Sequence, residues 1–117
     1  MQEHEKINYV EYPCRDPEST KGFFGEAFGW SFTDYGPDYF DFADQGLQGG
    51  FYRAEASAKV ATGSALIVFF SNDLESTLEK VVKAGGEIVK PIFAFPGGRR
   101  FHFQEPSGNE MAVWSDV

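Results

Sequence analysis

The chain repeats itself, and the repeat limits what it can fold into. Asp16-Pro17-Glu18-Ser19-Thr20 returns as Asp73-Leu74-Glu75-Ser76-Thr77, four residues of five identical. Phe40-Asp41-Phe42 returns as Phe101-His102-Phe103, and Gly46 to Phe51 follows the pattern of Gly108 to Val113. A unit recurring at this length is one supersecondary module used twice. Each copy reads as βαβββ. A single copy leaves one sheet face uncovered, so the two must pack together.

In the first copy, residues 7–14 read as a strand. Asp16 caps a helix, Pro17 takes its first position and Gly29 ends it. Strands follow at 30–35, 39–43 and 47–52. Residues 53–63 are small, polar and weakly patterned, a linker. The order then restarts with an apolar strand at 65–70. Asn72-Asp73 caps a helix through Ala84, whose buried face is Leu74, Leu78, Val81 and Val82. A strand at 87–90 and a loop at 91–98 lead to a hairpin with arms 101–104 and 110–114. Its turn, Glu105-Pro106-Ser107-Gly108-Asn109, combines the preset φ of Pro with residues that accept φ > 0. The expected architecture is one α+β domain over residues 1–117. It comprises repeat 1 at about 7–53, a linker at about 54–63 and repeat 2 at about 64–115, with helices outside curved antiparallel sheets.

The formal net charge of −8 argues against a nucleic-acid partner. Residues 1–57 hold 11 acids and 4 bases, so the imbalance is concentrated in the first repeat. Thirteen Phe point to an aromatic core or an aromatic-lined cavity. The single cysteine, Cys14, makes no internal disulfide and reads as a small buried hydrophobe. No secretory, membrane-spanning or lipidation signal is readable. A cytoplasmic protein with no membrane partner is expected.

The two βαβββ units, the Asp16-Pro17-Glu18 turn, Ala27-Phe28-Gly29-Trp30 at the helix end and the Glu105 to Asn109 hairpin together resemble the glyoxalase / bleomycin-resistance / extradiol-dioxygenase superfamily, the vicinal oxygen chelate fold. The resemblance runs from about Ile7 to Trp114. It implies homodimers, and it implies metal ligands at matching points of the first and fourth strands of each unit. Those points are Tyr9, Gly50, Leu66 and Ala112 in this chain. Three offer no side-chain donor, and a lone Tyr does not hold a divalent ion. The expectation is therefore no metal and no cofactor. A site shifted onto Glu11 and Glu110, at even spacing from those points, is the alternative.

Strand parity assigns the remaining residues to faces. Glu110 and Trp114 share the face of Ala112, and Tyr9 shares one with Glu11. The resemblance implies that Arg100, His102 and Gln104 also face the cup, with Asp41 as the counterpart of His102. Glu11 and His102 are the candidate acid/base pair. Tyr9, Arg100, Gln104, Glu110, Trp114 and Phe95 are candidate ligand contacts, with Arg100 suited to an anionic group. Two plainer readings stand beside this one: His102 in solvent on a half-exposed strand, and Glu11 in a structural ion pair. Phe93 to Gly97 is expected to be a glycine-hinged lid or a dimer contact. Three functions are compatible: a metal-free binder or enzyme acting on a small organic molecule, a metal-dependent lyase or dioxygenase with displaced ligands, and a non-catalytic interaction subunit with a closed cup.

Overall fold

The structure, a computed structural model, describes residues 2–117. The first repeat contains β1 (Tyr9–Cys14), α1 (Pro17–Phe28), β2 (Phe32–Asp34), β3 (Tyr39–Phe42) and β4 (Gln48–Arg53). The second contains β5 (Val68–Phe70), α2 (Leu74–Lys83), β6 (Glu87–Phe95), β7 (Gly98–Gln104) and β8 (Glu110–Ser115). They make two four-stranded mixed sheets of matching order, β1-β4-β3-β2 and β5-β8-β7-β6. The strand register reproduces the sequence repeat. Asp41 lies opposite Gly50 as His102 lies opposite Ala112. Phe40 lies opposite Phe51 as Phe101 lies opposite Val113. Among the described residues, no helix is long and apolar enough to cross a membrane.

The helix ends follow from their sequences. Asp16 accepts from the Ser19 amide at 3.2 Å and the Ser19 hydroxyl at 2.7 Å, and Asp73 accepts from the Ser76 amide at 3.2 Å. Helix α1 then ties the sheets together. Its Phe24 ring lies 5.8 Å from Phe51 in the first sheet, and the adjacent Phe23 lies 5.7 Å from Phe103 in the second. Both helical rings are buried. Burial of two large apolar side chains against opposite sheets makes the repeats one folding unit, and removing either ring is expected to cost about 3–5 kcal/mol.

A polar contact supplements this core. The turn of the β7–β8 hairpin docks on the first repeat through Glu105, which is 2 % exposed. Its carboxylate accepts from the Thr20 hydroxyl at 2.6 Å, the Ser107 amide at 3.0 Å, and the Asn109 side-chain and backbone N–H groups at 2.7 and 3.2 Å. Asn109 also donates to the Pro13 carbonyl at 2.7 Å. Gly108 turns the chain at φ 93°, whereas Asn109 stays outside the left-handed region.

Two local expectations require correction. Residues 91–95 are not loop: β6 runs on to Phe95, with register shifts between Ile88 and Phe93. Strand β6 pairs only with β7, so Pro91 sits at a sheet edge and an irregular register, where a missing N–H is tolerated. Phe93 and Phe95 therefore stand on a strand, and only Pro96-Gly97 turns. Val82 is 51 % exposed and lies off the buried face of α2, which comprises Leu74 and Val81 with Leu78 partly buried. The linker is held in place: the Ala58 amide donates to Asn109 Oδ1 at 2.8 Å, and the Glu110 amide donates to the Ala58 carbonyl at 2.8 Å.

Candidate functional site

The helices cover one face of each sheet, so alternation sends every second strand residue to the opposite, open face. On the second sheet that face carries Arg100, His102, Glu110, Ala112 and Trp114. Phe101 and Phe103, between them, are fully buried on the helix side. His102 is also buried, at 4 % exposure, and so is not a solvated strand residue.

These polar groups form a chain. His102 Nδ1 lies 2.8 Å from Glu110 Oε2, and His102 Nε2 lies 2.9 Å from an Arg100 Nη2. A guanidinium only donates, so Nε2 must accept and the ring proton must sit on Nδ1, where it is donated to the carboxylate. The remaining Glu110 oxygen accepts from the Val60 amide of the linker at 3.1 Å. Burial pushes the Glu110 carboxyl up, but the His102 bond and the Val60 amide outweigh it. The group is held below its ordinary value.

Arg100 is enclosed by rings. Its guanidinium carbon lies 5.9 Å from the Phe93 centroid and 5.8 Å from the Phe95 centroid. Phe95 in turn lies 6.3 Å from Trp114. Nε of Arg100 is buried with no hydrogen-bond partner, and among the described residues no carboxylate forms an ion pair with this arginine. Gln104 is half-buried at the other end of β7, opposite Glu110, and joins none of these contacts.

The open face of the first sheet holds a separate group. Tyr9 Oη lies 2.6 Å from Tyr39 Oη, and Tyr39 donates to Glu11 Oε2 at 2.9 Å. Tyr35 donates to Asp41 at 3.0 Å. Burial, then the Tyr9 and Glu11 bonds, push the Tyr39 phenol well above the usual tyrosine range. Glu11 is thus held by a phenol and, among the described residues, makes no ion pair. Tyr35 and Tyr39 were not among the residues singled out in the sequence, although both flank the turn before β3. Glu11 and His102 stand in different sheets, and no hydrogen bond links them.

Gly50 pairs with Asp41 on β3 and Glu11 on β1, and the space beside its Cα is taken by phenols. A Cβ there would overlap Tyr39 Oη and stand 2.7 Å from Tyr9 Oη. Ala112 pairs with Val68 and His102. Glu110, the carboxylate a shifted site would need, is engaged by His102 and Val60. Among the described residues, no group of three or more His, Cys, Asp or Glu is placed to hold a metal ion. Gly50, Leu66 and Ala112 carry no side-chain donor of the His, Asp, Glu or Cys type that a divalent-metal site uses.

A cavity of about 380 Å³ lies elsewhere, between the sheets, where β1 and β5 face each other. Val10, Trp30, Phe42, Leu66, Phe69 and Met111 contribute to its walls. Nothing in the alternation of Phe42 and Phe69 along their strands distinguishes a filled core from a hollow one.

Comparison with known proteins agrees with the fold. The family model described as Glyoxalase/Bleomycin resistance protein/Dioxygenase superfamily matches residues 6–113. CFP32 of Mycobacterium bovis, provisionally named a glyoxylase, is 24 % identical over 117 aligned residues, covering 92 % of this chain and 44 % of its own length. The chain thus spans less than half of that relative. A glyoxalase-related enzyme from Fulvimarina pelagi superposes with a TM-score of 0.79 at 19 % identity, covering 95 % of this chain and 88 % of the other. A glyoxalase/bleomycin resistance protein/dioxygenase family enzyme from Burkholderia phytofirmans gives 0.78 at 15 %, covering 95 % and 98 %. At these identities the likeness speaks for fold alone.

Proposed function

Because the chain belongs to the Glyoxalase/Bleomycin resistance protein/Dioxygenase superfamily, we propose that it uses this scaffold without a metal, to bind a small organic anion on the open face of its second repeat. The observation that carries the reading is Arg100. Its charge is enclosed by Phe93 and Phe95, its Nε is buried without a partner, and its one side-chain hydrogen bond goes to a neutral imidazole nitrogen. A cation in apolar surroundings without a counter-charge is costly, and a carboxylate, sulfonate or phosphoryl group on a ligand removes that cost. Phe93, Phe95 and Trp114 then receive the apolar body of the ligand.

In this reading His102 is a positioning residue. Both of its nitrogens are occupied, one fixing Arg100 and the other anchored on Glu110, so it orients the guanidinium and moves no proton. No catalytic step is required of Glu11.

The test is titration with 1-naphthoate and with its uncharged counterpart 1-naphthamide, followed by calorimetry before and after exhaustive chelation. Saturable binding of the carboxylate, unchanged by chelation and weakened at least tenfold by Arg100→Gln, is expected. Equal affinity for the amide would sink the anion reading. Stoichiometric Ni, Zn or Fe in purified protein, lost on Glu11→Gln, would sink the metal-free one.

A homodimer is the accompanying proposal. Phe70, at 55 % exposure, flanks Trp114 on this face with a ring-centroid distance of 5.1 Å, and Val68 and Phe93 add to the exposed apolar surface. A second copy would cover them. Light scattering of wild type against Phe70→Ser tests it: a dimer that becomes monomeric on substitution is expected, and a monomeric wild type would overturn it.

A further inference from the structure

We propose that the cavity between the two repeats is a second binding site, for a small, uncharged, ring-shaped apolar molecule. A cleft of about 380 Å³, partly open to solvent, lies beside the aromatic residues Trp30, Phe42 and Phe69, within the size range of ligand pockets. The topology accounts for it. Strand β1 bonds only to β4 and β5 only to β8, so two sheet edges face each other without a shared ladder. Side chains alone close that seam.

The walls define the class of ligand. Among the described residues no charged one lines the cavity, so a charged guest would lose its hydration without compensation. Trp30 is already stacked on Phe24 at 4.5 Å and on Phe42 at 4.3 Å, so it offers the cavity a ring edge rather than a face. An aromatic guest then packs its face against ring edges, in the edge-to-face arrangement that aromatic pairs favour. Entry is from the rim at the exposed Gln45 and Gly46 of the β3–β4 turn. This site is independent of Arg100 and takes the opposite ligand chemistry.

The experiment uses the uncharged fluorophore N-phenyl-1-naphthylamine. The chain has two tryptophans, so Trp114→Phe leaves Trp30, on the cavity wall, as sole reporter. Saturable binding of one probe per chain is expected, with Trp30 emission falling as probe emission rises. Leu66→Phe and Val10→Phe, which fill the cavity from opposite sides, should each weaken binding at least tenfold while circular dichroism shows a native fold. Phe70→Ser, on the open face, should leave it unchanged. The proposal is overturned if the probe does not saturate, if folded filling variants bind as well as wild type, or if affinity follows Phe70→Ser instead.

Discussion

Nη2 of Arg100 lies 2.9 Å from Nε2 of His102, and this contact fixes the proton on the far side of the imidazole. The ring must carry its hydrogen on Nδ1 and give it to Glu110. Nitrogen NMR of the histidine ring at pH 7.5 should therefore show an Nδ1–H tautomer for His102. Free histidine in water prefers the other tautomer, so the result discriminates. Arg100→Ala should leave Nε2 open to solvent, and a His102 ring signal unmoved by that substitution would argue against the contact.

The absent side chain at position 50 makes room for the tyrosine pair. A methyl group there meets the Tyr39 hydroxyl, and the Tyr9 hydroxyl stands 2.7 Å from it. Gly50→Ala is expected to cost about 1–3 kcal/mol by overpacking. Tyr39→Ala removes both the colliding oxygen and the ring carbon behind it, so the double variant should be less destabilised than the two single costs summed. Urea unfolding of the four proteins gives the coupling directly, and simple additivity would refute the assignment.

Glu105 contributes through what it accepts. Each of its oxygens faces a backbone N–H, Ser107 on one side and Asn109 on the other. In Glu105→Gln an amide nitrogen must point at one of them, whichever way it is turned. A loss on the order of 3 kcal/mol is expected from the unmet donors. Hydrogen exchange at Ser107 and Asn109 should rise together. If the variant unfolds at the wild-type urea concentration, the turn does not hold the two repeats.

What was legible in the sequence was whatever depends on neighbours along the chain or on repetition. The Asp16 and Asp73 caps and the Asp41 and His102 equivalence are of this kind. So is the placing of Arg100, His102, Glu110 and Trp114 on one face, since parity needs only a strand. The course of β6 past Pro91 was not legible, because proline is tolerated there only at a sheet edge, and edges are set by tertiary pairing. The Tyr39–Glu11 bond and the docking of Glu105 on Thr20 join residues 28 and 85 positions apart. The cavity is the extreme case. Its walls have the alternation of a core, and it opens where β1 and β5 lie unpaired, a fact of tertiary pairing.

Glu110 offers the prediction most easily read in bulk. Its carboxyl is held below the ordinary 4.5, so the native state binds that proton less readily than the unfolded chain. The sign follows: this contribution is fully present above 4.5 and is lost as pH falls through it toward the lower folded value. Other carboxylates, Glu75 beside Arg99 among them, also weaken with acid, so the wild-type slope alone does not isolate Glu110. The comparison with Glu110→Gln does. At pH 7 the variant should be the less stable protein, since the glutamine cannot act as the anionic partner of His102. On descending from pH 6 to pH 3.5, wild type should lose more than the variant, and their urea midpoints should converge. A gap that stays constant over that range would mean that the His102 and Val60 bonds do not depress the Glu110 carboxyl, and the chain from Glu110 through His102 to Arg100 would lose its anchor.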